Sequence, residues 1–257
     1  MSKIHETAIV DKNAQINSDV EIGPYSIIGP KAKIGKGVKI YSNVVINGLA
    51  TIKDNCEIFH SAVIGTVPQD LKYRGEDSEV IIGKNTTIRE FVTVNLSTSI
   101  DNPTRVGDNC LLMTYVHIAH DCNLGNNVIL ANAVNLAGHV TIEDNAIIGG
   151  LTPIHQFVHI GTFAFVGGLS RVSKDVAPYT RGASVPYKTS GLNSIGLRRN
   201  NFKKETRRTL KHLYKIFYTS NLNTSQALKK IKQEVEMIEE VEHFIKFVES
   251  SERGIAK

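Results

Sequence analysis

The sequence predicts a mainly β chain: a parallel β-helix of hexapeptide repeats over residues 1–177, then a C-terminal α-helical domain over 178–257. Two observations predict it. First, an aliphatic residue recurs at every sixth position, at Ile4, Val10, Ile16, Ile22 and onward without a miss to Ile64. The register returns at Ile82, Ile88 and Val94, then runs unbroken from Val106 through Ile118, Leu136 and Ile154 to Val172. A period of six matches neither a 3.6-residue helix nor an alternating strand, and marks a hexapeptide solenoid. Second, the period changes after Pro178 to helical spacings.

Taken in order, three hexads make one triangular coil of 18 residues, each hexad supplying a short strand and a corner. The register aliphatics point inward and stack coil on coil. The position after them is often glycine, as at Gly23, Gly107 and Gly125, and Asn recurs nearby. Both types tolerate the tight conformations that corners require. Similarity to known hexapeptide-repeat proteins implies a left-handed coil, against the usual crossover rule. Two excursions break the register, near 66–81 and near 95–105, where charged and Pro-containing stretches cannot be core strands. They are expected to be loops leaving the prism, where binding residues concentrate. Val176 to Leu197 reads as an extended crossing segment. Leu210, Leu213, Tyr214 and Phe217 then fit one helix, Leu228, Ile231, Val235 and Ile238 a second, and Val241, Phe244, Ile245 and Val248 a third. Asn223 and Gln226 resemble the capping start of the second. Three such helices should cover one end of the solenoid, which would otherwise expose unpaired strand edges.

Composition narrows the class. With 257 residues, 41% hydrophobic and 21% charged, the chain is long enough for an extensive core. The N-terminus moves straight into the repeat with no signal-peptide pattern, and nothing approaches the roughly 18 consecutive apolar residues of a membrane span, so a cytoplasmic protein is expected. Cys56, Cys110 and Cys122 share the hexad slot of Ala62, Val116 and Val128 and form no CxxC pair. They read as reduced packing residues. Charge is uneven: residues 181–257 hold 16 basic against 8 acidic side chains, while 1–180 are slightly acidic. A basic tail suits a nucleotide diphosphate or an acidic protein better than nucleic acid, and equally fits a solvated helix surface.

The histidines carry the chemical signal. His117, His120, His139, His155 and His159 gather in the later coils. Residues 18 apart lie one strand spacing above one another, which puts His120, Gly138 and Gln156 in one column and Asp121 and His139 in the next. An imidazole held by a carboxylate makes a general base near neutral pH, and the bare amide of Gly138 is a candidate oxyanion donor. A solvated outward ladder is the bland alternative. A zinc site is another, but no trio of histidines is isolated by the spacing and no metal or cofactor is expected.

Several strings carry a more specific resemblance: QDLKY at 69–73, IRE at 88–90, HIAHDCNLGN at 117–126, LAGHV at 136–140, IIGG at 147–150, HQF at 155–157 and GLRR at 196–199. The chain resembles the acyl carrier protein–UDP-N-acetylglucosamine O-acyltransferase family, which opens lipid A synthesis, over essentially its whole length. The resemblance implies a homotrimer with active sites in clefts between subunits. By motif match it implies that His120 is the general base, Asp121 its orienting carboxylate and Gly138 the oxyanion donor. Asp70, Lys72, His117, His139 and Gln156 would hold sugar and acyl group. His155, Asn193 and Arg199 would lie along the nucleotide, and the basic tail would dock acyl carrier protein. Direct attack on the thioester fits the absence of a catalytic Cys or Ser motif.

Two departures stand out. The family pattern after the IRE strand is His-Arg-Gly-Thr, whereas this chain has Asn95, Leu96, Ser97 and Thr98, and Ile195 replaces a carboxylate before GLRR. Asn95 and Leu96 are therefore candidates for acceptor selectivity, favouring a 3-amino over a 3-hydroxy sugar, with drift as the alternative. Arg171, with Gly168 nearby, is a candidate limit on acyl length if its side chain turns into the acyl groove. The rival readings are another hexapeptide acyltransferase and a non-catalytic or zinc-binding β-helix.

Overall fold

The computed structural model describes residues 2–257. The six-residue register becomes three parallel sheets wound into a left-handed parallel β-helix. Most strands are two residues long and end on a register aliphatic, and each pairs with the strand one coil away, as in His117↔Asn135 and Ile118↔Leu136. Face A starts at Lys3–Ile4, face B at Ile9–Val10 and face C at Gln15–Ile16. The register side chains from Ile22 to Val172 fill the interior. Ile4 is the exception at 48% exposed, because the first coil has no neighbour beneath it.

The hexad slot holding Cys56, Cys110 and Cys122 is interior, and all three thiols are free. Burial pushes them up to about 11, 11 and 12 respectively, so they stay protonated and unreactive.

The corners correct one expectation. The left-handed residue is the third after the register aliphatic, not the glycine directly after it: Asn43, Asn127 and Asn145 adopt φ of 59°, 56° and 61°. Gly107 shows no positive φ and serves close approach instead, since a Cβ there would lie 2.2 Å from the carbonyl oxygen of Gly125 in the next coil. At the corner between faces C and A, a side chain from one coil caps an amide of the coil below. Asp108 accepts from Lys84 N at 2.7 Å, Asn126 from Asp108 N at 2.8 Å and Asp144 from Asn126 N at 2.7 Å.

The two excursions are narrower than the sequence suggests, because Val63–Thr66, Glu79–Ile82, Thr93–Asn95 and Thr104–Val106 are strands. Val63 pairs with Thr93 and Thr93 with His117, so the coils holding the loops are 30 and 24 residues long. Both loops leave from the corner between faces B and C, the corner that carries His120 one coil further on.

The stretch Val176–Leu197 is not an extended crossing segment. Thr180–Ala183 and Lys188–Leu192 form an antiparallel hairpin that adds two strands to face A, and Ser194–Arg199 begins a short helix, α1. Glycine at 182 and 191 and the proline at 186 masked this β structure in the sequence. Helix α2 (Lys204–Tyr214) runs into a π-helical turn at Lys215–Thr219. Helix α3 (Thr224–Glu234) carries the expected reciprocal cap between Asn223 and Gln226. It stops before Val235, which is extended, and Ile238 instead precedes helix α4 (Glu239–Glu249). The apolar faces meet around Phe217, Ile231, Val241 and Phe244. A polar contact ties α4 to face C: Glu143 lies 3.0 Å from both His159 Nε2 and His243 Nε2. No helix among the described residues is long and apolar enough to cross a membrane.

Candidate active site

Three coils build one cluster at the corner between faces B and C. Asp121 and His139 occupy the left-handed corner position, with φ of 59° and 61°, so their side chains project from the prism edge instead of entering the core. His120 Nδ1 lies 2.7 Å from Asp121 Oδ2. An ionised carboxylate only accepts, so Nδ1 carries the proton and Nε2 carries the lone pair. The imidazole lies directly over Gly138: a Cβ there would sit 2.4 Å from its Cε1 and 2.7 Å from Nε2. Only glycine leaves room for this ring.

Asp121 is held by more than the histidine. Its Oδ1 accepts from the Ser97 hydroxyl and from Thr98 N at 3.0 Å, and its Oδ2 accepts from the Thr98 hydroxyl at 2.7 Å. Its own N–H donates to Thr104 Oγ1 at 2.9 Å. Burial pushes the carboxyl up, but the hydrogen bonds from Ser97, His120 and Thr98 outweigh it and hold it at about 2. Asp121 is therefore a fixed anion at neutral pH. One ligand atom from each of His120, Asp121 and His139 lies within 4.8 Å of the others, the spacing of a metal-ligand set. Four donors already occupy the two carboxylate oxygens, however, and a cation would have to displace them, so the donor set fits a hydrogen-bonded base better than a metal site.

Around this pair, Asp70 Oδ2 lies 4.0 Å from His120 Nε2, which brings the first loop over the base. Lys72 follows on the same turn, exposed, its N–H donating to Asp70 Oδ1 at 2.8 Å. His139 reaches Asp121 Oδ2 at 3.5 Å, meets the His120 ring edge-on and stacks on Phe157 at 4.5 Å between centroids. His117 lies on the outer face B with its Nδ1 2.7 Å from Thr93 Oγ1. Burial and the neighbouring His120 lower its proton affinity, keeping it neutral. The Gly138 N–H donates to no group among the described residues. At the C–A corner the equivalent amides are capped from the coil above. Here the residue above is Gln156, whose side chain makes no such bond.

Other expected residues lie elsewhere. His155 and Gln156 are exposed at the same B–C corner, one coil above Gly138. Asn193 is buried as the N-cap of α1: its Oδ1 accepts from Gly196 N at 3.0 Å and its Nδ2 donates to Phe163 O at 2.9 Å. Phe163 belongs to the C–A corner, so Asn193 and the exposed Arg199 sit on a different edge of the prism from His120. Gly168 is at the A–B corner, 3.1 Å in Cβ reach of Gly150 O. Arg171 is exposed on face B in the outward column of His117, Asn135 and Pro153. Asn95 is buried and donates from Nδ2 to Thr66 Oγ1 at 2.9 Å and Val67 O at 3.2 Å, its Oδ1 without a partner. Leu96 is buried against Gly48 in the core.

Sequence reasoning missed Ser97, Thr98 and Phe157. Phe157 lies 18 residues after His139, a spacing already in hand. Ser97 lies 24 residues before Asp121, the length of the loop-bearing coil, and only the coil length was unknown.

Comparison with known proteins follows the same lines. Residues 175–256 match a family model described as UDP N-acetylglucosamine O-acyltransferase, domain 2. Residues 103–138 match the bacterial transferase hexapeptide model and 4–98 the GMPPB C-terminal domain model. The chain is 48% identical to an acyl-[acyl-carrier-protein]–UDP-N-acetylglucosamine O-acyltransferase of Thermodesulfovibrio yellowstonii, covering 100% of both chains. It is 53% identical to the Aquifex aeolicus protein of that name, covering 99% of this chain and 98% of the other. The solved structure of LpxA from Acinetobacter baumannii superposes with a TM-score of 0.95 at 44% identity, covering 99% of each chain. The UDP-N-acetylglucosamine acyltransferase of Bacteroides fragilis gives 0.95 at 42% identity, covering 98% of this chain and 99% of that one. An imidazole fixed on a carboxylate over an open glycine amide, in a fold shared along its full length with these enzymes, makes the chain an acyltransferase that belongs to the acyl-[acyl-carrier-protein]–UDP-N-acetylglucosamine O-acyltransferase family.

Proposed function

We propose that the protein moves a 3-hydroxyacyl chain from acyl carrier protein to the 3-position of a UDP-N-acetylglucosamine-type sugar in the cytoplasm, the first step of lipid A synthesis. The observation that carries the reading is the His120–Asp121 pair with its free Nε2 above the unpaired Gly138 amide. Nε2 takes the proton of the sugar 3-hydroxyl as its oxygen attacks the thioester carbonyl. The carbonyl oxygen gains the negative charge and accepts from Gly138 N–H. Collapse breaks the C–S bond, and the imidazolium, stabilised by Asp121, returns its proton to the leaving thiolate. Asp70, Lys72, His139 and Gln156 surround the acceptor.

The nucleotide end is supplied by a second copy. Asn193 shapes α1, and the exposed His155 and Arg199 bind the diphosphate from either side of an intersubunit cleft. A homotrimer closes three such clefts. Helix α2 presents Lys204, Arg208 and Lys211, and the π-helical turn that follows presents Lys215, a basic stripe suited to an acidic carrier protein.

The acyl chain runs along the outer column of face B from His117 to Arg171. These are three coils apart, about 14 Å at the ordinary strand spacing. Arg171, exposed and without an ionic partner among the described residues, closes that path. A second reading, N-acylation of a 3-amino sugar, rests on Asn95 and Leu96 standing where the family pattern has His and Arg, which removes cationic side chains that would disfavour a protonated amine. One experiment tests these points: mass spectrometry of products from carrier-protein thioesters of graded length with the 3-hydroxy and 3-amino UDP-sugars. His120→Ala is expected to abolish product, and Arg171→Gly to lengthen the accepted chain. Undiminished turnover by His120→Ala would remove the reading, and an unchanged length profile would remove the role of Arg171. Preference for the hydroxyl sugar would remove N-acylation.

A further inference from the structure

The loop between Asn95 and Thr104 is bound to the base by an unusual concentration of hydrogen bonds. Ser97 is fully buried, and its hydroxyl is placed between two acceptors, Asp121 Oδ1 and the Asn102 carbonyl. It has one proton, and the charged acceptor takes it. Ser99 N donates to the same Oγ at 2.9 Å, and the Ser78 hydroxyl donates to the Ser97 backbone carbonyl, so both the side chain and the main chain of Ser97 are held. Thr98 adds its N–H and its hydroxyl to the two oxygens of Asp121. No other stretch of loop is devoted in this way to one carboxylate of the cluster.

We propose that Ser97, with Thr98, is the positioning residue for the base: the loop fixes the carboxylate of Asp121, and the carboxylate then fixes the tautomer, orientation and basicity of His120. The inference rests on the reading of His120 as general base. Its physical content is a competition for one anion. Each donor that the loop places on Asp121 withdraws charge from the bond to His120 Nδ1. The loop therefore aims the imidazole while limiting how strongly the carboxylate can stabilise its protonated form. The charged and titratable groups facing His120 are Asp121 on its own corner, His139 from the coil above, His117 from face B and Asp70 from the first loop. Of these, Ser97 hydrogen-bonds only Asp121, so changing it acts on His120 through that carboxylate alone.

The test is the pH profile of kcat/KM for the whole enzyme with its carrier-protein thioester. Ser97→Ala is expected to lower kcat by about ten-fold to about a hundred-fold, the worth of a hydrogen bond to a charged group, with KM for the UDP-sugar nearly unchanged. Asp121, relieved of one donor, holds the imidazolium more strongly, so the acid limb moves to higher pH. Thr98→Val removes a second hydroxyl without removing volume and should shift the limb in the same direction. In the Asp121→Asn background Ser97→Ala should cost little more, because the two act through one bond. A merely structural serine would lower activity equally in both backgrounds and leave the limb in place, and that outcome overturns the proposal. Inactive His120→Ala with an unshifted Ser97→Ala profile refutes only the role of the loop, while active His120→Ala refutes the base itself. Thermal unfolding of each variant separates loss of fold from loss of position.

Discussion

At the scale of single residues, the site depends as much on an absent side chain as on those present. The His120 ring fills the space a Cβ at position 138 would need, with contacts of 2.4, 2.7 and 3.1 Å to three ring atoms. Gly138→Ala must therefore swing the imidazole off Asp121, and it also crowds the amide meant for the oxyanion. Loss of both base placement and oxyanion donation is expected to cost at least about a hundred-fold in kcat. The φ of residue 138 is not in the left-handed region, so the backbone accepts alanine and the thermal midpoint should change little. Turnover and melting measured on the same preparation check this, and an active Gly138→Ala would show that the ring does not work from this position. The column of His120, Gly138 and Gln156 was legible in the sequence because an 18-residue repeat converts spacing directly into height. Ser97 was not legible. Its partner is reached through a coil lengthened by a loop, and loop length is invisible until strands are paired.

At the scale of elements, what was legible followed the same division. The β-helix repeats one local rule, so its inward register positions could be named from the sequence, while the strands flanking the two loops could not. The hairpin 180–192 and helix α1 obey no period and were missed. The end of α3 was misplaced because Val235 and Ile238 keep helical spacing while turning away to pack. The attachment of α4 to face C is a titratable one. His243 is raised above its ordinary value of 6.5, first by its contact with Glu143, against partial burial. Burial pushes Glu143 up, but the His159 and His243 rings, each 3.0 Å from a carboxylate oxygen, outweigh it and hold it at about 2. A raised histidine contributes stability that is fully present below its unfolded value and is lost as pH rises through the folded one. A depressed carboxylate contributes stability present above 4.5 and lost as pH falls towards about 2. Both are fully present only between about 4.5 and 6.5. Amide exchange in 239–249 is therefore expected to be slowest in that window and to quicken at higher pH, relative to amides in the core coils. In His243→Gln the alkaline quickening should disappear. Its persistence would place the pH response elsewhere.

At the scale of the whole molecule, one chain carries parts that cannot meet. His120, Asp121 and Asp70 lie at the corner between faces B and C, while Arg199 follows a cap anchored on Phe163 at the corner between C and A. The surface shows where copies would join. Face A bears paired charges at its start, Lys3 with Glu21 and Lys39 with Glu57, but turns apolar at Leu111, Ile129, Ile147 and Phe165. The adjoining corner exposes Phe91, Tyr115, Leu151 and Leu169, and the first loop carries Leu71 97% exposed beside Asp70. The apolar run along face A and the A–B corner, with Leu71 at the B–C corner, is suited to a contact between copies. Cyclic assembly would repeat a single heterologous contact and deliver the Arg199 edge of one chain to the His120 edge of the next. Mixing variants distinguishes this from a site made within one chain. His120→Ala and Arg199→Ala are each expected to be nearly inactive at low UDP-sugar concentration. If the site takes one residue from each of two copies, random co-assembly restores both groups in about a quarter of the clefts, and activity rises to about that fraction of wild type. If both residues serve the same chain, every cleft in the mixture lacks one of them. Activity then stays at the level of the parents, and the intersubunit site is excluded.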